Sequence, residues 1–372
     1  MSSGRPARRP KAFGCRTREC LPIAAAAELR VAILGAGSVG CFIGGAWAAA
    51  GVQVRFVGRE RIGGAIAQHG LTLTDHGGWR VRLEPGQVDF SMKPAAIAGA
   101  DLIALCVKSS DTAAAAKEIG RHARKGALVV SFQNGVSNID LLRARLKGRF
   151  EAVQGMVPFN IAYLGEGRFH KGVAGELAAQ DHPLTRALAE RIGRGPARLT
   201  LAKDMAGLAW GKLLINLNNA VNALSGRTLL EELKERDYRR VVAASIVEAL
   251  DLLKEAGIEP AQVGPVPPRL LPHVIASPDL LFNNVFLKVQ KIDAKARSSM
   301  ADDLAAGRQT EIDYLNGEVV RLAERLVRKA PVNEAIVSLV KQAEAGVEHL
   351  WTPDTLRRHV LEGHKVAPIF GY

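Results

Sequence analysis

Residues 30–40 constrain this chain more than any other stretch. Arg30-Val-Ala-Ile-Leu34 is a short apolar run with the character of a buried strand. Gly35-Ala36-Gly37-Ser38-Val39-Gly40 follows, and then a run of small residues through Ala50 that predicts a helix stopped by Gly51. A strand that enters a helix through GxGxxG admits few folds. The glycines permit a tight turn and let backbone N–H groups approach a pyrophosphate. The helix N-terminus adds a favourable partial positive charge. A glycine-rich turn without a ligand is the plain alternative, and the flanking strand and helix argue against it.

The rest of the chain falls into two textures. Strands are expected at Val52–Val57, Leu102–Val107 and Ala127–Ser131, and through the apolar stretch 152–159. Leu71–Thr74 and Trp79–Leu83 flank Asp75-His-Gly-Gly78, a hairpin by composition. Alternating strands and helices imply a mostly parallel, doubly wound sheet. From about Leu201 helical periodicities dominate, over 203–224, 228–256, 279–293, 297–306, 310–328 and 333–345. The expected fold class is therefore α/β, with an N-terminal Rossmann-like doubly wound sheet and a C-terminal all-helical domain. The expected bounds are 29–201 for the dinucleotide domain and 202–345 for the helical domain. Residues 1–28 are expected to be a disordered extension, and 346–372 a tail with one short helix.

Bulk properties narrow the function. The net charge is +13, of which about +4 lies in residues 1–28: six basic groups against Glu19 and Glu28. The remaining excess is spread, without a basic block or interleaved aromatics, which argues against nucleic acid and suits small anions. Four cysteines without CxxC spacing suggest a reducing, cytoplasmic compartment. Scattered histidines give no reason to expect a metal. Leu21–Ala27 is only at the lower limit of the about 7–15 apolar residues of an export signal and ends at Glu28, directly before the first strand, and no run reaches a membrane span of about 20.

The end of the second strand bears on cofactor choice. NAD enzymes place a carboxylate there for the ribose hydroxyls. Here the strand ends Val57-Gly58-Arg59, and an arginine suits the 2′-phosphate of NADP. Glu60 keeps NAD as a minority reading, and a solvated surface charge is the bland reading of Arg59. Later strand ends carry Lys108-Ser-Ser and Gln133-Asn134-Gly135. Ligands of open α/β sheets sit beyond such ends. Lys108 offers charge, and Asn134 offers donors and an acceptor; ordinary loop polarity is the alternative for each.

In the helical half, Lys212, Asn216 and Asn219 are spaced i, i+4, i+7, on one face of a single helix. One ammonium and two carboxamides on an otherwise apolar helix need either structural partners or a polar ligand. Ser299 and Glu311 lie on neighbouring helical segments separated by Gly307. Singly, the one reads as a helix start and the other as a solvated charge.

Together these pieces resemble the ketopantoate reductase family over about residues 30–345. The likeness rests on GAGSVG at 35–40, VGR at 57–59, VKSSDT at 107–112 and QNG at 133–135. It continues through the Lys212/Asn216 helix, Ser299-Met300 and Thr310-Glu-Ile-Asp313. The resemblance implies NADPH-dependent reduction of 2-dehydropantoate to pantoate, on the route to pantothenate and coenzyme A. It implies Lys212 as the catalytic lysine, and Asn134, Asn216 and Ser299 in the substrate cleft. Glu311 would stand near cofactor and lysine, with Lys108 and Arg59 on the cofactor. A small 2-oxo acid is the implied partner; oligomeric state is open, a homodimer included. Many members carry a further substrate asparagine where this chain has Ala220, and Asn219 is the expected substitute. That departure keeps two rivals open: a reductase of another branched 2-oxo acid, and a non-catalytic NADP-binding redox sensor.

Overall fold

The computed structural model describes residues 29–290, 296–347 and 350–362. The expected extension 1–28 and residues 363–372 of the expected tail lie outside them. The described strands, in chain order, are β1 (Arg30–Leu34), β2 (Gln53–Val57), β3 (Leu71–Asp75), β4 (Arg80–Leu83), β5 (Asp89–Ser91) and β6 (Leu102–Leu105). They continue with β7 (Leu128–Ser131), β8 (Glu151–Met156), β9 (Ile161–Tyr163), β10 (Arg168–Lys171), β11 (Leu177–Gln180) and β12 (Leu199–Ala202).

Eight of these strands form one sheet in the order β12-β11-β8-β7-β6-β1-β2-β5. All its pairings are parallel except β8 with β11. β6 and β7 are buried along their whole length, as a parallel sheet covered on both faces requires. Along β1 the side chains alternate between two cores. Val31 and Ile33 join Phe42, Trp47, Leu188 and Ile192, from helices α1 (Ser38–Ala49) and, further along the chain, 183–192. Ala32 and Leu34 join Ile119 and Leu142 on the other face. The 71–83 hairpin forms as expected, with the Asp75 carboxylate accepting from Gly77 N (2.9 Å) and Trp79 N (2.8 Å). It belongs to a separate four-stranded sheet, β4-β3-β10-β9.

The other helices of this half are α2 (Glu60–His69), α3 (Thr112–His122), α4 (Asn138–Leu146) and α5 (Pro183–Ile192). After β12 only helices and turns follow among the described residues: α6 (Met205–Asn216), α7 (Asn218–Ser225), α8 (Leu229–Lys234), α9 (Arg236–Glu255), α10 (Leu271–Ile275) and α11 (Asp279–Leu281). Then come α12 (Leu287–Gln290), α13 (Ser299–Ala305), α14 (Asn316–Arg325), α15 (Pro331–Glu344) and α16 (Pro353–Leu361).

Three helical expectations need correction. The helix expected over 203–224 divides at Leu217, whose backbone stays right-handed (φ −59°, ψ −23°). Asn219 therefore falls in the first turn of a new helix, Asn218–Ser225, instead of completing the Lys212 helix. Glu311 is not helical: it precedes a single 3₁₀ turn, Ile312–Tyr314. Residues 353–361 are not a detached tail. Leu356 and Val360 are fully buried in the helical core, and Tyr238 Oη donates to the Trp351 carbonyl (2.5 Å). A two-residue apolar stripe on a nine-residue amphipathic segment is enough to dock α16 once α9 offers a groove.

Candidate active site

The phosphate loop is built from backbone. Gly35 has φ +101°, and a Cβ there would lie 2.5 Å from Val107 N, so only glycine fits between β1 and the end of β6. A Cβ at Gly40 would lie 2.4 Å from the Gly35 carbonyl oxygen. At Gly37 nothing lies within 4 Å, and the residue is exposed. Gly37 is the N-cap of α1 without a side-chain cap. Among the described residues the N–H groups of Ser38, Val39 and Gly40 have no backbone acceptor, while Cys41 N is the first to bond, to Gly37 O at 2.9 Å. An uncapped helix N-terminus beside an open glycine is a cradle for a pyrophosphate. Ala36, buried, completes the loop: its N–H and that of Gly35 both donate to Val57 O (2.9 and 3.0 Å).

That last contact brings the loop against the end of β2. Gly58 packs on Ala36, and Arg59 follows with its side chain 88% exposed, held among the described residues by Asp111 at 3.4 Å. An extended, weakly held guanidinium beside the loop is free to meet an anion there.

The third element is a chain of hydrogen bonds across the cleft. Lys212 Nζ donates to Asn134 Oδ1 at 2.7 Å, and Asn134 Nδ2 donates to Glu311 Oε2 at 2.9 Å. Glu311 Oε1 accepts from the Ser109 hydroxyl (2.8 Å) and the Ser109 N–H (3.2 Å). Asn138 Nδ2 donates to Ser109 Oγ (3.0 Å) and to the Asn134 carbonyl (2.5 Å). Residues from the end of β6, the end of β7, α6 and the 307–315 loop thus converge on one point.

Lys212 is set there by α6. Asp204 caps that helix by accepting from Gly207 N (2.9 Å). Leu213 and Leu214 bury its apolar side. A strap around Glu259–Ala261 lies against the helix backbone: a Cβ at Gly207 would meet Glu259 O at 2.7 Å, and one at Gly211 would meet Ala261 O at 2.0 Å. Desolvation pulls the Lys212 ammonium down to about 8, against the opposing field of Glu311. Lys212 then remains mostly protonated at neutral pH yet gives up its proton readily.

The Lys108 ammonium donates to Asp303 Oδ2 on α13 (2.8 Å), and Asp303 also takes Arg308 (2.8 Å). Asn216 and Asn219 are half-buried, and their carboxamides make no hydrogen bond among the described residues. Asn216 lines a small recess with Lys212, Asn134 and Gln154. Ser299 is exposed at the first turn of α13, whereas Ser298 is buried, caps that helix and donates to the Asn219 carbonyl (3.1 Å). Ala220 is fully buried in the helical core and does not reach the recess.

Sequence reading missed Ser109, Asn138, Asp303 and Gln154. Ser109 stands inside the quoted VKSSDT run, so its signal was present; a lone Asn138 or Asp303 carries none without the fold. The described residues contain no group of three or more His, Cys, Asp or Glu able to hold a metal, and no described helix is long and apolar enough to cross a membrane.

A glycine loop packed on the strand end that leads through Ser109 and Glu311 to a desolvated, hydrogen-bonded lysine suits a nicotinamide-dependent oxidoreductase. Residues 31–183 match the family model "Ketopantoate reductase PanE/ApbA", and 204–344 match "Ketopantoate reductase PanE/ApbA C terminal". The chain belongs to the ketopantoate reductase PanE/ApbA family, and with it to the NADP-dependent oxidoreductases acting on a CH–OH group.

It is 28% identical over 327 residues to the 2-dehydropantoate 2-reductase of Pyrococcus abyssi, covering 85% of this chain and 98% of the relative. The crystal structure of a PanE/ApbA family ketopantoate reductase from Ralstonia eutropha JMP134 superposes with a TM-score of 0.73 at 29% identity. That match covers 86% of this chain and 99% of the other. D-mandelate dehydrogenase, solved with NADH and anilino(oxo)acetate, shares the fold: TM-score 0.69, 21% identity, 86% and 99% covered.

Proposed function

We propose that this protein reduces 2-dehydropantoate to pantoate with NADPH, supplying pantothenate and coenzyme A synthesis from the cytoplasm. The observation that carries the reading is the Lys212–Asn134–Glu311 chain, tied through Ser109 to the strand end on which the phosphate loop packs. The Ser38, Val39 and Gly40 amides would hold the pyrophosphate, and Arg59 the 2′-phosphate. The bound reduced nicotinamide supplies hydride to C2 of the oxo acid. As charge gathers on the carbonyl oxygen, Lys212 stabilises it and passes it a proton from Nζ. Asn134 orients that ammonium, and Glu311 with Ser109 fixes Asn134 in turn. Asn216 and Asn219 offer free carboxamides to the substrate skeleton, and Ser299 an uncommitted hydroxyl.

Lys108 contributes to the cofactor side after exchange of its Asp303 partner, or from that pair as it stands. A further reading, reduction of another branched 2-oxo acid, is favoured by one observation: the position of the family's second asparagine is Ala220, buried in the core. Steady-state NADPH oxidation with 2-dehydropantoate and a panel of branched 2-oxo acids separates the two. A higher kcat/KM for any other acid overturns the first assignment, and cofactor binding without turnover of any acid overturns both. A dimeric ketopantoate reductase from Staphylococcus aureus shares the fold at 18% identity; light scattering tests whether this chain also dimerises.

A further inference from the structure

Gln154 lies near the carboxyl end of β8, opposite Ser131 of β7, at the sheet edge where Asn134 leaves β7. Strand residues alternate between faces. Val153 joins the core containing Phe132, and a Cβ at Gly155 would strike the Phe132 ring, so 153 and 155 share one face. Gln154 is on the other, with Met156, which packs against Met205 of α6. It lines the recess that also holds Asn134, Met156, Lys212, Leu213 and Asn216. The residue is half-buried, and its carboxamide makes no hydrogen bond among the described residues.

The contrast with Gln133, which lines the same recess, is informative. The Gln133 carboxamide accepts from Ser131 Oγ (3.0 Å) and donates to Thr112 Oγ1 (2.7 Å) and Val107 O (3.2 Å), so it is committed to the fold. Gln154 holds no such commitments. Its donor and acceptor are left open to water or to a ligand in the recess.

We propose that Gln154 is a specificity residue that binds a neutral hydroxyl on the chain of the substrate, beyond the 2-oxo acid group. This rests on the 2-oxo acid reading given above. A carboxamide offers a donor and an acceptor side by side, and a hydroxyl answers both, whereas a carboxylate answers only the donor. The oxo group belongs to Lys212, and the apolar Met156 and Leu213 suit a branched carbon skeleton between the two ends.

The test compares 2-dehydropantoate with 3,3-dimethyl-2-oxobutanoate, which differs only in lacking the hydroxyl. In the wild-type enzyme the hydroxylated acid has the higher kcat/KM. Gln154→Met, which keeps size and removes both hydrogen-bonding groups, lowers that preference about tenfold, the worth of roughly one hydrogen bond. NADPH affinity, followed by fluorescence, stays unchanged. Should Gln154→Met fail to bind NADPH, Gln154→Leu serves instead, likewise removing both hydrogen-bonding groups, with the same fall in preference expected. An unchanged ratio in the variant that binds NADPH, or equal losses for both acids, overturns the proposal and leaves the 2-oxo acid reading standing. A wild-type enzyme that turns over neither acid overturns that reading, and this proposal with it.

Discussion

Two lysines of this molecule have been taken out of water, and they are held in opposite ways. Lys171, at the end of β10, is 3% exposed. Its ammonium donates to the carbonyls of Gly175 and Pro196, both at 2.7 Å, and lies 4.0 Å from the centre of the Phe159 ring. Burial lowers its pKa, opposed by the fields of Asp75 and Glu176. Lys212 has one described acceptor, a side-chain amide that is itself held by a carboxylate, and it borders a recess. Lys171 spends its protons on rigid backbone and ties two loops together. Lys212 retains donors for a ligand, and its one partner is held in turn by Glu311. Desolvation alone does not mark a catalytic group; the number and kind of its acceptors do.

The comparison breaks most visibly on activity. Lys212→Ala is expected to lower kcat by about 10²–10⁴ with the fold intact, as for a lost general acid; steady-state kinetics beside a melting curve would show it, and unchanged turnover would remove Lys212 from the chemistry. Lys171→Met should do the reverse. Two half-buried carbonyls lose a fully buried donor, so denaturant melts should report a loss of about 1–3 kcal/mol while kcat per folded molecule holds. A fall in kcat at unchanged stability would put Lys171 in the site instead.

Smaller effects sharpen the two ends of the cleft. Arg59→Ala should cut the preference for NADPH over NADH by about tenfold, the loss of one charge-assisted contact at an exposed site. Preference for NADH in the wild-type enzyme would sink the role given to Arg59. The mildest test is pH. Protonated Lys212 is the competent form, so kcat/KM should be level below about 8 and fall as pH rises through that value. A profile that rises there would require the neutral amine as the working form.

The fold was legible where local chemistry determines it. The glycines of 35–40 announce a strand, a turn and a helix whatever surrounds them, because Gly35 needs its positive φ and Gly40 its close approach. The same reasoning found the hairpin at Asp75. It failed where a distant partner decides: α16 is a helix docked on α9, and nothing local distinguishes it from a detached tail. The division at Leu217 was equally invisible, since apolar periodicity runs through it. Of the candidate site, spacing gave the phosphate loop and marked Lys212 and Asn216, and strand ends marked Asn134. Their joining with Glu311 spans residues 78 and 177 positions apart, so that link was reached through resemblance and not through pattern. Ser299 shows the residual ambiguity of a repeated residue: of two adjacent serines, 298 serves the helix and 299 is left uncommitted.

The strap over α6 has a consequence for anyone who would redesign this enzyme. Because the carbonyls of Glu259 and Ala261 rest on Gly207 and Gly211, main chain touches main chain on the side of the helix away from the substrate. A mutant library aimed at new oxo acids can vary Asn216 and Gln154 freely. If it also samples codons 207 or 211, it shifts the register of the proton donor itself, and most of its members would be silent for reasons unrelated to the substrate offered.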